Sequence, residues 1–362
     1  MPSIAVLAFV RRDRHSRTMV RRLLLPLVLV LAVLPTTWLR SPPPPHNLEN
    51  RLHLEALPLP SAEAQLGPFR LAGAWALTSP NTNFGGYSAL VVTRPDHLLA
   101  FSDRGFMLEF AAPGQDGTPP RIGFVPGNPA LLKKFRDIES ASRDPASGQI
   151  FIALEGRNIV ARHGPDLRRQ AVREVPEMRG WRSNSGPEAM ARLGAGRFVV
   201  LCECSTGWLG SQFYPGLLFP GDPTDPAPAR AITLQGVDGY RPTDMALLPD
   251  GRLLVLVRRL LWPVPARFAA KILLADPATI ASDGSWQAME LADLSQPLPV
   301  DNFEGLAIES AGKGRINAWL ISDENGAISQ RVLLWKLALR LADLPPKQKA
   351  PGNPDASRLK QR

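Results

Sequence analysis

Apolar strands occur in pairs along this chain, and the pairs repeat one pattern of polar and apolar positions five times. Each copy opens with a turn and one polar or acidic residue, followed by an apolar strand. A second turn and a second apolar strand complete the copy, and the second strand ends in a charge. The copies span residues 87–105, 138–157, 187–203, 243–259 and 303–326. This alternation of short strands and turns predicts an all-β repeat protein.

The first polar residue of each copy, here called the slot, gives the repeat its period. The five slots are Ser88, Glu139, Glu188, Thr243 and Glu304. Subtraction places them 51, 49, 55 and 61 residues apart, and a propeller blade has roughly 40 to 50 residues before loops are added. The pattern therefore predicts a β-propeller with five blades, or with six if one blade has lost its signature.

The two ends of the repeat region predict how the ring closes. One apolar strand, over residues 332–339, follows the slot of the last copy, and another, over residues 73–79, precedes the first copy. The stretches on either side of the copies together have about the length of one more blade. We therefore expect the two strands to pair and to complete a blade from both ends of the chain, within a single domain of residues 66–340.

The charge that closes each copy is predicted to lie beside its slot. Antiparallel pairing places the start of the first strand next to the end of the second, so the slot and the closing charge share one face of the disc. The closing charges are Asp103, Glu155, Glu203, Arg258 and Asp323. The sequence thus predicts an inner ring of slots and an outer ring of charges on the same face.

These two rings carry seven carboxylates, and Arg104 and Arg258 are the nearest positive charges. Like charges on one rim raise each other's pKa values unless a cation relieves them. Ca²⁺ takes about 6 to 8 oxygen ligands, and Asp137, Asp301 and Asn302 add oxygens beside the slots. We therefore expect Ca²⁺ as a cofactor. The alternative is that each charge only caps backbone N–H groups of its own blade.

The net charge of +9 comes from the two ends of the 362-residue chain. Residues 1–65 and 345–362 contribute +4 each, which leaves about +1 for the body. This body has no basic face that would indicate a nucleic-acid partner. The sequence gives no indication of an oligomeric state.

Residues 1–40 are predicted to be an export segment. Six arginines precede an apolar run over residues 23–39, and this run has about the shortest length that spans a bilayer. It fits an uncleaved membrane anchor or a cleaved signal, with Met1 or Met19 as the start. Residues 41–65 follow as a Pro-rich linker, and residues 341–362 form a basic tail expected to be disordered. We expect the domain in the periplasm or cell envelope, tethered to the inner membrane.

Few other chemical signatures are present in the sequence. Cys202 and Cys204 lie two residues apart on one strand, where Cα atoms are about 6.5 Å apart and Cβ vectors run parallel. We expect them to be free, packed thiols, and the alternative is a C-x-C metal pair, for which no third soft ligand lies nearby in the sequence. His97 and His163 lie away from the predicted rings. The sequence contains no G-x-S-x-G elbow, H-E-x-x-H motif, P-loop or dinucleotide fingerprint.

Several motifs together resemble the family named for the esterase-like activity of phytase, a group of mostly exported bacterial propellers. The matching pieces are GGYSALVV with FSDRG, DIESASRDP with IALEGRN, NSGPEAMA with VLCE, RPTDMALLPDGRLLVLVRR, and DNFEGLAIE with ISDENG. The resemblance implies hydrolysis of a small phosphoester or carboxylester, with calcium as the metal. The chain departs from the family pattern at Thr243 and at Ser140, where glycine is usual.

The resemblance carries the family's acidic pattern onto Asp103, Glu139, Glu188, Glu304 and Asp323, with Arg104, and the outer ring of closing charges adds Glu155 and Glu203. The expected metal ligands are Glu139, Glu188, Glu304, Glu155 and Glu203. Asp103 or Asp323 is expected as a ligand or general base, and Arg104 as a clamp for an anionic substrate group. Two alternatives remain: a propeller that binds a ligand or partner without catalysis, and a calcium-dependent sugar-lactone hydrolase.

Overall fold

The computed structural model describes residues 22, 24, 27, 28, 45–59, 65–115, 118–126, 136–182, 185–204, 213–236, 239–261, 267–295, 300–324 and 330–347. The strands are β1 (His53–Ala56), β2 (Gln65–Leu66), β3 (Phe69–Thr78), β4 (Tyr87–Arg94), β5 (His97–Ser102), β6 (Phe106–Ala111), β7 (Arg121–Phe124), β8 (Ile138–Arg143), β9 (Ile150–Leu154), β10 (Ile159–His163), β11 (Arg169–Glu174), β12 (Pro187–Arg192), β13 (Phe198–Cys202), β14 (Tyr214–Phe219), β15 (Arg230–Gln235), β16 (Arg241–Leu247), β17 (Leu253–Leu261), β18 (Arg267–Ala275), β19 (Ser285–Asp293), β20 (Asn302–Ser310), β21 (Arg315–Asp323) and β22 (Val332–Arg340). Short 3₁₀ turns occur at Pro176–Met178, Gly194–Gly196, Pro277–Thr279 and Leu341–Asp343. The predicted all-β class is confirmed.

The strands form antiparallel meanders of four. Strands β4 to β7 make one sheet and β8 to β11 a second. Strands β12 to β15 and β16 to β19 make two further meanders, which join into an eight-stranded sheet because the outer strands β15 and β19 pair in parallel. Strands β20 to β22 belong to the last sheet. Each meander contains one copy of the repeat.

The last sheet is completed from the other end of the chain. Strand β22 lies between β21 and β3, with Leu334 opposite Trp75 and Trp335 opposite Ala74. The pairing expected between residues 332–339 and 73–79 is therefore present. Strand β1 adds to the free edge of β3, so that residues 53–56, within the expected linker, are part of the sheet.

The first strands of the meanders contact one another side by side around the centre. Strand β4 contacts β20 and β8, while β12 contacts β8 and β16, and β16 also contacts β20. At the contact between β20 and β4, a Cβ on Gly305 would lie only 3.0 Å from the backbone of Ala89. The apolar core fills the spaces between neighbouring sheets, where Trp286, Trp319 and Trp335 are fully buried.

The export segment falls almost entirely outside the described residues. Among the residues that are described, no helix is both long and apolar enough to cross a membrane. The predicted anchor over residues 23–39 therefore stays a prediction.

Candidate functional site

A β-bulge marks the slot in each of the five central strands. In β8, for example, Ile138 pairs with Leu154 and Ser140 with Ala153, so that Glu139 is left without a partner in the ladder. The other four slot residues likewise have no ladder partner on the neighbouring strand. A bulge bends the strand and changes where its side chains point. The polar residue repeats at the slot because a bulge occurs there in each central strand. The sequence pattern alone did not reveal these bulges.

The closing charges lie beside the slots, as the hairpin geometry predicted. The backbone N–H of Glu155 donates to the carbonyl of Asp137 at 2.9 Å, and that of Asp103 donates to Gly86 at 2.9 Å. The N–H of Glu203 donates to the carbonyl of Gly186 at 3.3 Å. These bonds bring the end of each second strand to the residue just before its own first strand. We call the end of the central strands where these groups gather the acidic face.

Three carboxylates on the acidic face are close enough to share one cation. Oxygens of Asp137, Glu139 and Glu155 lie within 4.8 Å of one another, and all three residues are partly exposed. Gly186 donates its N–H to Oε1 of Glu155 at 3.1 Å, which fixes the orientation of that carboxylate. The donor set consists only of oxygens, as a hard cation such as Ca²⁺ prefers. Asp137, identified from the sequence only as a nearby oxygen, thus belongs to the cluster itself.

The acidic neighbours of Glu139 change its protonation. Burial raises the pKa of Glu139 well above its ordinary value, and the charges of Glu188, Glu304, Glu155 and Asp137 raise it further. Burial likewise raises the pKa of Glu188, where Glu203, Glu155 and Glu304 act in the same direction and Arg258 opposes them. A bound cation would relieve this repulsion and favour the ionised form.

Arg258 occupies the other half of the acidic face. Its Nη2 lies 3.0 Å from Oε1 of Glu304 and 3.5 Å from Oε1 of Glu203. Asn302 also donates to Oε1 of Glu304, at 2.6 Å, and Arg241 lies 3.6 Å from Oε1 of Glu203. Two of the five expected metal ligands, Glu203 and Glu304, are therefore ion-paired with arginine in this structure.

The charge of Arg258 is maintained despite burial. Burial lowers the pKa of Arg258, but Glu304, Glu203, Glu188 and Asp323 raise it, and the net direction is upward. Burial raises the pKa of Glu304, against which Arg258 and Asn302 act. Among the described residues, the Nε atom of Arg258 is buried and has no hydrogen-bond partner. It is an unsatisfied buried donor next to the ion pairs that Arg258 makes with Glu304 and Glu203.

Asp103, Arg104 and Asp323 lie on the acidic face, and Arg104 also binds backbone there. Its Nη2 donates to the carbonyls of Phe84 and Gly85 at 2.7 and 2.8 Å, and its Nε lies 4.0 Å from Asp103. Arg104 therefore stabilises the turn before β4. Asp323 pairs with Asn302 across β20 and β21.

Asp244 is a buried acid that the sequence pattern did not single out. It directly follows the slot of β16 and has no exposed surface. Its carboxylate accepts the backbone N–H of Leu306 at 2.7 Å and of Met245 at 2.8 Å, and the N–H of Leu90 also donates to it. Asp244 thus joins β16 to β20 and β4. Its complete burial and its three backbone donors indicate a structural role.

The prediction that the two cysteines are free is wrong. Cys202 and Cys204 form a disulfide, and no free cysteine remains. Strand β13 ends at Cys202, so that Cys204 lies beyond the extended segment and the two Cα atoms are 5.0 Å apart. The expected separation assumed that the strand continued. The disulfide encloses Glu203 and holds it where it meets Arg258.

The sequence matches one known protein family over most of this region. A family model described as phytase-like, with the esterase-like activity of phytase, covers residues 82–326, more than half of the chain. The chain belongs to this phytase-like family. The expected relationship is confirmed, and with the sheet architecture it identifies a phytase-like β-propeller. No curated protein is similar in sequence to this chain.

Solved structures of similar architecture are distant in sequence. A structural genomics protein of unknown function from Bacteroides thetaiotaomicron matches with 11% identity and a TM-score of 0.44, over 78% of this chain and 72% of its own. The β-propeller domain of Cps50 (Swd1) from Myceliophteria thermophila has 10% identity and a TM-score of 0.34, over 74% and 99%. Hydrazine synthase from Kuenenia stuttgartiensis has 11% identity and a TM-score of 0.33, over 67% of this chain and 58% of that chain. At these TM-scores none of the three indicates a function.

Proposed function

We propose that this phytase-like propeller is a Ca²⁺-dependent hydrolase of small phosphoesters or carboxylesters. The observation that carries the proposal is the cluster of Asp137, Glu139 and Glu155, whose oxygens lie within 4.8 Å of one another. The raised pKa of Glu139 supports it, because burial and then the acidic neighbours oppose ionisation, and a bound cation would relieve the repulsion. When bound there, Ca²⁺ would act as a Lewis acid on an ester oxygen.

The remaining groups on the acidic face supply complementary chemistry. Glu188 has a raised pKa, which suits a general base that takes a proton from the attacking water. The maintained positive charge of Arg258 suits an oxygen that becomes negative as the ester is attacked. The ion pairs with Glu203 and Glu304 hold that guanidinium in place.

A screen of substrate classes with and without metal tests this proposal. The full chain is assayed on phosphomonoesters, phosphodiesters, short acyl esters and sugar lactones, in Ca²⁺ and in chelator. We expect Ca²⁺-dependent turnover of a phosphoester or acyl ester that Glu139→Gln abolishes. Glu290→Gln is the matched control, because Glu290 pairs with Lys271 on an outer strand. Turnover of the esters that is unchanged by chelator contradicts the proposal.

The two alternatives give distinct results in the same experiment. Turnover restricted to lactones identifies a sugar-lactone hydrolase. A Ca²⁺-stabilised protein with no turnover in any class is a propeller that binds a ligand or partner without catalysis. The acidic cluster supports metal binding in all three cases, and only the substrate separates them.

We further propose that the five meanders form one closed, five-bladed ring. The central strands contact their neighbours in the order β4, β8, β12, β16 and β20, and β20 contacts β4. The pairing of β22 with β3 supports the same closure. Closure leaves no unprotected strand at the centre, where an open sheet edge would invite aggregation.

Export and tethering complete the proposed function. The arginine-rich segment and the apolar run over residues 23–39 support an anchor in the inner membrane, with the propeller outside the cytoplasm. Residues 1–65 fused to a reporter that is active only outside the cytoplasm should give signal in the membrane fraction. Residues 41–65 fused alone are the control. Recovery of the fusion of residues 1–65 as an inactive protein in the soluble cytoplasmic fraction contradicts export and tethering.

A further inference from the structure

A cavity lies away from the acidic face, between the sheet of β4 to β7 and the sheet of β8 to β11. It has a volume of about 240 Å³. Thr93 and Arg94, at the end of β4, and Arg143, at the end of β8, line it together with the turn at residues 165–167. Because the slots begin these strands, the cavity lies at the opposite end of the blades. We call it the inter-blade cleft.

Two arginines that line the inter-blade cleft, Arg94 and Arg143, have no carboxylate partner among the described residues. Of the two acids in its lining, Glu109 pairs with Arg121 at 2.9 Å, and Asp166 pairs with Arg168 at 3.5 Å. Among the described residues, neither Arg94 nor Arg143 lies within ion-pair distance of an acid. Arg94 makes one long hydrogen bond, from Nη2 to Oγ1 of Thr118 at 3.4 Å. The cleft is therefore locally positive, unlike the acidic face.

A buried hydroxyl in the same cleft also lacks a partner. Oγ1 of Thr93 is buried and makes no hydrogen bond with the described residues, although buried polar groups are nearly always satisfied. A ligand oxygen in the cleft would accept the hydroxyl proton. This observation is independent of the arginine charges and indicates the same kind of ligand.

We propose that the inter-blade cleft binds a phosphate group, free or carried by a small molecule. Two guanidinium groups and a hydroxyl are the donors that an oxyanion needs, and arginine binds phosphate with paired N–H donors. The volume is below the roughly 300 to 1,000 Å³ of pockets for drug-sized ligands, so the ligand is small. The cleft lies at the ends of β4 and β8 opposite the slots, which makes this site separate from the proposed hydrolytic one.

Phosphate binding is tested on the full chain by calorimetry and thermal melting. Inorganic phosphate and glycerol 1-phosphate are compared with chloride at equal ionic strength. We expect saturable binding and a rise in melting temperature in phosphate, with at least tenfold weaker binding in Arg143→Gln and Arg94→Gln. Thr93→Val should weaken binding while leaving the melting temperature in chloride unchanged. The tighter of the two probes shows whether the natural ligand is free or esterified phosphate.

The control is Arg315→Gln, which removes one positive charge at the start of β21 in another sheet. It should bind phosphate as the parent does. Equal losses in Arg315→Gln and Arg143→Gln would mean that phosphate responds only to overall charge, and the proposal would be overturned. The absence of any difference between phosphate and chloride would overturn it as well.

Discussion

Nη2 of Arg258 and Nδ2 of Asn302 meet the same oxygen of Glu304, at 3.0 and 2.6 Å. This contact divides the acidic face into two halves. On one side, the guanidinium of Arg258 forms ion pairs with Glu304 and Glu203. On the other side, burial raises the pKa of Glu139 most, and the charges of Glu188, Glu304, Glu155 and Asp137 raise it further. Because Arg258 already supplies a counter-charge to Glu304, a divalent cation is expected at the cluster of Asp137, Glu139 and Glu155.

The first prediction concerns which glutamate binds the metal. Millimolar Ca²⁺ should raise the melting temperature of the parent, since a ligand at a hundredfold excess over its Kd stabilises by about 2.7 kcal/mol. Glu139→Gln should remove this rise because it removes a charged ligand while keeping the shape. Glu304→Gln is the matched comparison and should retain most of it. Loss of the rise in Glu304→Gln alone would place the metal at the arginine side.

The second prediction is a dependence of stability on pH in chelator. The folded-state pKa values of Glu139 and Glu188 are raised, so the folded state binds these protons more tightly than the unfolded chain does. This contribution is complete below the ordinary glutamate pKa of 4.5 and is lost as pH rises through the raised values. Denaturant melts from pH 4 to 8 should show falling stability above pH 5.

Two variants of that experiment identify its cause. Glu139→Gln should flatten the decline, and Ca²⁺ should flatten it in the parent. A decline that persists unchanged in both cases would assign the pH dependence to other groups.

The third prediction concerns the buried ion pair. Arg258→Met should destabilise the fold by about 3–5 kcal/mol at neutral pH, because the partners of a buried pair are left without a counter-charge. The loss should shrink in the double variant Arg258→Met with Glu304→Gln, as measured by urea denaturation. Additive losses in the double-mutant cycle would argue against coupling between the two residues.

The fourth prediction concerns the disulfide. The purified, denatured protein should expose no titratable thiol without reductant and two thiols with it. Cys204→Ser should cost about 1.6 kcal/mol by the loop-entropy relation for so short a ring. Because the ring encloses Glu203, the variant should also weaken the coupling between Glu203 and Arg258. Two thiols in the unreduced protein would contradict the bridge.

The fifth prediction concerns the strand that comes from the end of the chain. Ending the chain before Val332 removes β22 and leaves β3 and β21 with open edges, so the cooperative transition should be lost. Ending it after Lys347 should leave the melting temperature unchanged. The cut is placed there because Arg252 donates to the carbonyl of Pro345 at 2.6 Å. A cooperative melt of the shorter chain would refute the role of β22 in closure.

The sequence predicted the strand pairs, their common face and the pairing of the two ends because these follow from periodicity. It could not predict the division of the acidic face. Arg258 was identified as a nearby positive charge, but its contact with Glu304 depends on how one sheet is oriented relative to the next. Asp244 was missed because its role appears only when three central strands meet. Ser140, a departure from the usual glycine, donates from Oγ to the carbonyl of Pro187 at 2.7 Å.

The pairing of β3 with β22 also has a consequence for how the chain is made. Trp75 pairs with Leu334, which is synthesised much later. At roughly 5–20 residues per second, Leu334 is added to the chain on the order of 10 to 50 s after Trp75. Until then the inner edge of β3 lacks its neighbour. If the chain is exported as proposed, this delay keeps the last sheet unfolded while the polypeptide crosses the membrane. Folding is then completed outside the cytoplasm.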